Sequence, residues 1–91
     1  MLRFEWDDAK AVSNAAKHGV PFEEAASVFG DPQALTFSDI DHSIEEKRWL
    51  TFGLSQKGRL LAVIHTERNR AIRIISARKA TRRERGIYEQ G

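Results

Sequence analysis

The residues best suited to chemistry are six cations that lie close together near the end of the chain. They are Arg73, Arg78, Lys79, Arg82, Arg83 and Arg85. The alternation of Ile72, Arg73 and Ile74 indicates a strand. Thr81 and Glu84 form a capping box that starts a helix. Since the cations cluster where a strand gives way to a helix, we predict a surface for a polyanion at this junction.

Metal-free cleavage of RNA needs little more than such cations and an acid–base pair. The 2′-hydroxyl is the nucleophile, so the protein must deprotonate it, hold the phosphate and protonate the leaving oxygen. Arginine presents a planar fork to phosphate oxygens. The phosphate is therefore predicted to be held by Arg73, Arg78 and Lys79, joined by Arg48 if its strand lies alongside the fourth strand. The acid–base candidates are His42, Glu45 and Glu46. The predicted catalytic group is His42, Glu46, Arg48, Arg73 and Arg78.

Further side chains are predicted to contact the nucleic acid around this group. The cations predicted to bind RNA are Lys17, Arg59, Lys79 and Arg82. The aromatic residues that suit stacking on an unpaired base are Trp6, Trp49 and Tyr88.

Each assignment has a structural alternative. Arg73 is a cation among isoleucines and needs a partner, so an ion pair with Glu46 competes with catalysis at both positions. His42 lies in an aspartate-rich turn, where a histidine more often binds backbone groups. Trp49 on an alternating strand more often packs in a core. A solvated helix face is the common fate of a charge run such as residues 82–85.

The composition limits the other classes of function. The 91 residues contain no cysteine, so disulfides and thiolate metal sites are excluded. The sequence has no phosphate-binding loop, no GxGxxG, no GxSxG and no HExxH, and its three histidines are too scattered for a metal triad. No apolar run approaches the length of a membrane span, and the first residues lack the apolar core of a signal peptide. We expect a cytoplasmic protein that uses no metal or cofactor.

Charge is distributed unevenly along the chain, although the formal net charge is only +2. Residues 1–47 hold four cations and ten carboxylates, a net charge of −6. Residues 48–91 hold eleven cations and three carboxylates, a net charge of +8. One alternative is that the two parts pair with each other across the fold. The clustering of the late cations instead favours a surface that faces a polyanion or an acidic partner.

The first part of the chain predicts two short helices joined by a tight turn. An aspartate cap and a stop at Gly19 bound the first helix at residues 9–17. The apolar stripe of this helix consists of Ala9, Val12 and Ala16. Pro21 suits the first turn of the second helix, which ends before residues 30–32. Together the two segments predict a helical hairpin.

The rest of the chain predicts strands that follow one another closely. The strand patterns cover residues 34–37, 48–54, 59–66 and 71–76, and a helix begins near residue 81. Short turns between consecutive strands are typical of an antiparallel meander. The predicted architecture is therefore α+β, with an N-terminal helical hairpin packed on a roughly four-stranded antiparallel sheet, and a C-terminal helix. We predict a single domain over residues 1–91.

Motifs along the chain resemble those of a known family. They are FEWD at residues 4–7, NxxKHG at 14–19, PFEEA at 21–25, FxDP at 29–32, DxDHSxEEKRW at 39–49, GRLLAV at 58–63 and RIISARKATRRER at 73–85. In this order they are similar to the BrnT family of toxins from bacterial type II toxin–antitoxin systems. The resemblance covers nearly the whole chain, and the last motif together with the KHG turn is its most specific part.

The resemblance implies a RelE-like ribonuclease fold and an RNA-cleaving toxin that arrests translation. It implies neutralisation by a BrnA-like antitoxin, in a heterotetramer of two toxins and two antitoxins that represses its own operon. DNA would then be contacted only through the antitoxin. The site residues that it carries over are Arg48, Arg73, Arg78 and Lys79, with the pair His42 and Glu46. The residues alone leave open a non-catalytic subunit that binds RNA or an acidic antitoxin segment.

Overall fold

The computed structural model describes residues 2–39 and 46–91, and within them it contains a five-stranded sheet and three α-helices. The strands are β1 (Phe4–Glu5), β2 (Leu35–Ser38), β3 (Trp49–Leu54), β4 (Leu60–Arg68) and β5 (Ala71–Lys79). The helices are α1 (Asp8–His18), α2 (Phe22–Ser27) and α3 (Arg82–Gln90), and a 3₁₀ turn (Val28–Gly30) follows α2. The predicted α+β class is confirmed.

The predicted number of strands is wrong, because the sheet has a fifth strand at one edge. The strand order is β1-β5-β4-β3-β2. β1 pairs in parallel with β5, so that Phe4 lies opposite Ile72 and Glu5 lies opposite Arg73. A two-residue strand has no periodicity, and its partner lies at the other end of the chain. The local pattern therefore could not predict it.

The other four strands form the predicted antiparallel meander. β4 and β5 are joined through Asn69 and Arg70, which both have positive φ (52° and 64°). Positive φ at both turn residues is typical of two-residue hairpins, whose twist matches that of their strands. The pairing then skips Ile75, because Ile74 lies opposite His65 and Ser76 lies opposite Ile64. Ile75 is thus a β-bulge in β5.

The two N-terminal helices pack on the sheet rather than on each other. α1 begins as predicted, with Asp7 Oδ1 accepting a hydrogen bond from Lys10 N at 3.0 Å. It ends at Gly19 in the left-handed conformation (φ 69°). α2 has only six residues, and both helices contact β5 more extensively than they contact each other. The predicted helical hairpin is therefore not the arrangement found.

The core lies between these helices and one face of the sheet. Its fully buried members are Val20, Phe22, Ala25, Val28, Leu61, Val63, Ile74 and Ala77. The predicted apolar stripe of α1 is wrong, because Val12 is 71% exposed and Ala9 and Ala16 are also exposed. The face of α1 that packs on the sheet is centred instead on a polar residue, Asn14.

Asn14 joins α1 to the edge of β5 beyond the end of β1. Its Nδ2 donates to Ala77 O at 2.8 Å and to Val20 O at 3.0 Å. Its Oδ1 accepts from Ala77 N at 3.1 Å. The side-chain amide thus satisfies both backbone groups of Ala77, as a neighbouring strand would. This explains how a polar side chain can lie in the core.

α3 lies on the opposite face of the sheet and contacts β3. The predicted capping box is present, with Thr81 Oγ1 accepting from Glu84 N and Glu84 accepting from Thr81 N. None of the residues of α3 is buried. Tyr88 Oη fastens the helix by donating to Asp31 Oδ2 at 2.7 Å. Over residues 2–39 and 46–91, none of the helices is long and apolar enough to cross a membrane.

Candidate functional site

A row of polar side chains crosses the sheet on the face that is opposite α1 and α2. We call this side of the sheet the open face. Thr66 of β4 pairs with Arg73 of β5, and Arg73 pairs with Glu5 of β1. Arg48 immediately precedes β3 and lies beside Thr66, whose Oγ1 donates to Lys47 O at 2.6 Å. Two predicted catalytic arginines are therefore separated by one strand.

Arg78 reaches the same face because of the bulge at Ile75. Residues five positions apart in a regular strand point to opposite faces. The extra residue shifts the alternation by one, so that Arg73 and Arg78 both lie on the open face, opposite Thr66 and Ala62. At about 3.3 Å per residue, Arg78 lies about 15 Å farther along β5 than Arg73.

Each of these three arginines is paired with a carboxylate. The pairs are Arg48–Glu46 at 3.8 Å, Arg73–Glu5 at 3.3 Å and Arg78–Glu84 at 2.7 Å. The arginine side chains are between 28% and 36% exposed, so their guanidinium groups remain within reach of a ligand on the open face. The site is therefore a set of half-exposed arginines oriented by acidic neighbours.

The partner of Arg73 differs from the one considered from the sequence. The structure pairs Arg73 Nη1 with Glu5 Oε1, whereas Glu46 pairs with Arg48. Glu5 was missed because it lies on the short parallel strand β1. Phe4, Glu5 and Trp6 alternate between aromatic and acidic residues, but three residues are too few to indicate a strand or to identify the partner of Glu5.

The tightest of the three pairs lies at the start of α3. Arg78 Nη1 and Nη2 donate to the two carboxylate oxygens of Glu84 at 2.7 and 2.9 Å. The hydrogen bonds from Arg78 lower the pKa of Glu84, and those to Glu84 raise the pKa of Arg78. Both groups are therefore held in their charged forms.

A shallow cleft adjoins the Arg48 end of the row. It has a volume of about 280 Å³, and its lining residues are Glu46, Lys47, Trp49, Thr66 and Glu67. Trp49 is half-buried, and Lys47 Nζ lies 4.5 Å from the centroid of its ring. This ring is therefore less available for base stacking than the sequence suggested. The other predicted stacking candidates are engaged too, since Trp6 packs edge-on against Phe22 and Tyr88 binds Asp31.

The predicted RNA-binding cations do not all lie on the open face. Arg82 is exposed at the start of α3, close to Arg78. Lys79 is exposed at the end of β5, but it lies opposite the core residue Leu61 and therefore on the α1–α2 side of the sheet.

Lys17 is exposed on α1 and lines a second cleft, of about 190 Å³, at the edge of β5. Ser76 lines the same cleft and lies on the open face, opposite Ile64. A ligand on the open face could therefore contact Lys17 across the edge of β5.

Arg59 has a different environment from the other predicted RNA-binding residues. Its guanidinium forms an ion pair with Glu24, which is 1% exposed, and also donates to Gly19 O at 3.1 Å. Glu24 Oε2 accepts as well from Ser55 Oγ at 2.7 Å. The hydrogen bond from Arg59 lowers the pKa of Glu24 to about 2. The pair ties the β3–β4 hairpin to α2 and faces away from the row.

His65 is a buried histidine that the sequence reasoning did not single out. Its Nε2 lies 2.7 Å from Thr51 Oγ1, and the ring of Phe29 packs edge-on against it at 4.8 Å. Burial lowers its pKa to about 4, so it is neutral at pH 7. It lies on the core side of the sheet and is not part of the open face.

The structure describes only one of the two acid–base residues in the predicted catalytic group. His42 lies outside the described residues, as does the further candidate Glu45, so their roles stay predictions. Glu46 is exposed and lies next to Arg48.

Among residues 2–39 and 46–91, no group of three or more His, Asp or Glu side chains is arranged to hold a metal ion.

Comparison with known proteins identifies a family. A family model described as the ribonuclease toxin BrnT of type II toxin–antitoxin systems matches residues 6–84. The crystal structure of the ribonuclease toxin BrnT from Brucella abortus superposes with a TM-score of 0.68 at 25% sequence identity. The match covers 90% of this chain and 100% of that chain. A sequence search of curated proteins gives no significant match.

Proposed function

The chain belongs to the BrnT family of ribonuclease toxins of type II toxin–antitoxin systems, and we propose that it cleaves RNA without a metal ion and thereby arrests translation. The observation that carries the proposal is the placement of Arg48, Arg73 and Arg78 on one face of one sheet. A set of fixed, half-exposed guanidinium groups suits a phosphodiester chain, because each can present two donors to phosphate oxygens.

The row that contains Arg48 and Arg73 is the proposed position of the scissile phosphate. Neighbouring strands are about 4.8 Å apart, so the Cα atoms of these residues are about 10 Å apart. Both side chains can therefore reach a phosphate placed between them. Their role would be to stabilise the negative charge that develops on the phosphoryl oxygens.

The acid–base step is assigned to His42 and Glu46. One of them takes the proton of the 2′-hydroxyl, whose oxygen then bonds to phosphorus, and the other gives a proton to the departing 5′ oxygen. The products are a 2′,3′-cyclic phosphate and a 5′-hydroxyl. The support for Glu46 is its place beside Arg48, and for His42 it is the sequence alone.

The remaining cations are assigned to the flanking nucleotides. Arg78 would hold another phosphate of the same strand, since it lies about 15 Å along β5 from Arg73. Arg82 extends this path on the open face, and Lys79 and Lys17 extend it across the edge of β5 towards the other side of the sheet. Arg59 is assigned to the fold, because its guanidinium is committed to a buried carboxylate.

The proposed partner is a BrnA-like antitoxin that covers the open face in a complex of two toxins and two antitoxins. The premise for a protein partner is the type II class of the family. The open face suits an acidic segment, because the cations of β5 share this face with exposed apolar side chains farther across the sheet, Phe37 of β2 and Ile87 of α3. In this arrangement the antitoxin alone would contact operator DNA.

A non-catalytic subunit that binds RNA or the antitoxin is the second candidate. The observation in its favour is that all three arginines of the open face already have carboxylate partners, which reduces the local positive charge. Such a protein would retain RNA in a binding assay and leave it intact.

Induced expression of the chain without an antitoxin tests the proposal in cells. The wild type should stop growth and bulk translation, Arg73→Ala should lose this effect, and Lys57→Ala should keep it. Lys57 is a suitable control because it is exposed in the β3–β4 turn, away from the row. Unimpaired growth with the wild type, or full toxicity of a folded Arg73→Ala protein, would contradict the proposal.

A further inference from the structure

Glu84 makes more contacts than the capping of a helix requires. Its Oε1 accepts from Thr81 N at 2.8 Å, which completes the capping box. The same oxygen accepts from Arg78 Nη1 at 2.7 Å, and Oε2 accepts from Arg78 Nη2 at 2.9 Å. A carboxylate that bridges a helix start and an arginine of the sheet fixes the arginine relative to both.

The geometry of this pair leaves one edge of the guanidinium available. The Nη1–Nη2 edge of Arg78 is taken by Glu84, and Nη1 also donates to Lys79 O at 3.4 Å. In the part of the chain that the structure describes, Nε of Arg78 donates to no acceptor. The side chain of Arg78 is 36% exposed, whereas that of Glu84 is 14% exposed. The second edge, formed by Nε and the remaining Nη2 hydrogen, is thus a preformed two-donor fork.

We propose that Glu84 is a positioning residue, which holds Arg78 so that its Nε–Nη2 edge meets a phosphate of the RNA. This inference rests on the proposed function. Glu84 is poorly suited to act as a base, because the hydrogen bonds from Arg78 lower its pKa and occupy both of its carboxylate oxygens. Its contribution is to remove rotational freedom from a long side chain before the RNA arrives.

The proposal gives a reason for the position of α3. None of the residues of this helix is buried, and it contains Gly86 in its interior. The helix contacts β3, on the face of the sheet that carries Arg78. Its first turn supplies the carboxylate that orients Arg78, and Tyr88 fastens its other end to Asp31. The helix is therefore a support for the site.

Two variants separate positioning from helix capping. Glu84→Gln keeps an oxygen acceptor for Thr81 N, since glutamine also serves in capping boxes. The variant loses the charge and one of the two oxygen acceptors that form the bidentate ion pair with Arg78. Thr81→Ala removes the other half of the same capping box, which is the bond from Glu84 N at 3.2 Å, and leaves this ion pair intact. Circular dichroism of both variants checks that the helix remains.

The test measures single-turnover cleavage of an RNA oligonucleotide, together with its dissociation constant. We expect Arg78→Ala to lower the cleavage rate by about 100-fold, because a lost contact to a flanking phosphate misplaces the reacting nucleotide between Arg48 and Arg73. Glu84→Gln should lower the rate about 10-fold with the dissociation constant changed less than about 2-fold, and Thr81→Ala should stay within about 2-fold of the wild type. Arg78→Ala/Glu84→Gln should be no slower than Arg78→Ala alone, because the two residues act as one unit. Glu84→Asp, which keeps the charge but withdraws it from Arg78, should also be slow.

The outcomes are distinguishable. If Glu84→Gln or Glu84→Asp cleaves as fast as the wild type or faster, while Arg78→Ala is impaired, the positioning role is overturned and the proposed function stands. A faster Glu84→Gln is the result expected if the carboxylate merely repels RNA. If Thr81→Ala is as slow as Glu84→Gln, capping alone explains the effect and the inference fails. If the wild type does not cleave RNA, the proposed function and this inference fail together.

Discussion

Replacing Arg59 with alanine should destabilise the protein without altering the open face. Glu24 is buried, and its carboxylate accepts hydrogen bonds from Arg59 Nε at 2.8 Å and from Ser55 Oγ at 2.7 Å. The variant keeps this carboxylate buried but removes its charged partner. Loss of one member of a fully buried ion pair costs ~3–5 kcal/mol, and the lower end of this range applies because the Arg59 side chain is 30% exposed. That is a large part of the stability of a small domain.

The pKa of Glu24 gives a second route to the magnitude. The hydrogen bond from Arg59 lowers this pKa from 4.5 to about 2, a difference equivalent to ~3 kcal/mol. The folded-state pKa lies below the unfolded value. The contribution is therefore complete above about pH 4.5, and it is lost as the pH falls towards about 2.

Urea unfolding at pH 7 and pH 3 measures the free energy of unfolding and its dependence on pH, and thermal unfolding at pH 7 measures the melting temperature. At pH 7, Arg59→Ala should lower the free energy of unfolding by ~3 kcal/mol and the melting temperature by about 15 °C. Lys57→Ala, in the same hairpin, should change the free energy by less than ~0.5 kcal/mol. Glu24→Gln/Arg59→Met should recover most of the loss, because neither buried group is then an unpaired charge and glutamine can still accept from Ser55.

Two results would refute this reasoning. The first is a loss of less than about 1 kcal/mol in Arg59→Ala at pH 7, which is typical of a surface substitution. The second is an equal loss of stability between pH 7 and pH 3 in the wild type and in Glu24→Gln/Arg59→Met. Either would return Arg59 to the set of candidate RNA-binding residues.

Two other predictions concern buried polar residues. Asn14→Ala should lower the free energy of unfolding by about 3 kcal/mol, because Val20 O and both backbone groups of Ala77 lose their partner. Urea unfolding measures this loss, and Ser13→Ala, at an exposed position of the same helix, is the control and should stay within ~0.5 kcal/mol of the wild type. Equal stabilities of the two variants would contradict the prediction. His65 has a folded-state pKa of about 4, below its unfolded value of 6.5. Between these values the unfolded chain binds one more proton than the folded chain, so the free energy of unfolding decreases as the pH is lowered from 6.5 to about 4. His65→Gln should remove ~2 kcal/mol of the loss between pH 7 and pH 5, and an unchanged loss in that variant would show that His65 is not the group responsible.

Features with a local cause could be predicted from the sequence. The cap at Asp7, the stop at Gly19 and the capping box at Thr81 each depend on residues within one turn of the helix. The antiparallel meander follows from short turns between alternating segments. In each case the structure places the element within a few residues of the prediction.

Features that depend on distant contacts could not be predicted in the same way. Asn14 and Glu24 look like exposed helix residues in the sequence, and only the positions of Ala77 and Arg59 explain their burial. Glu5 becomes part of the candidate site through a strand of two residues. A polar residue carries no local sign that its partner lies elsewhere in the fold.

The bulge at Ile75 shows how one irregular residue changes the site. The alternation in the sequence puts Arg73 and Arg78 on opposite faces of a regular strand, whereas the bulge puts them on the same face. The cluster of cations could thus be predicted from the sequence, but the face shared by the two arginines could not. His42 lies outside the described residues, so its part in the site remains a prediction.

Analysis of the RNA termini tests the central claim most directly. Purified wild-type protein is incubated with RNA in excess EDTA, beside Arg73→Ala and Lys57→Ala. We expect 2′,3′-cyclic phosphate or 3′-phosphate ends with the wild type and Lys57→Ala, and a large loss of cleavage with Arg73→Ala. RNA that is retained by the wild-type protein but stays intact would contradict the account and favour a binding subunit.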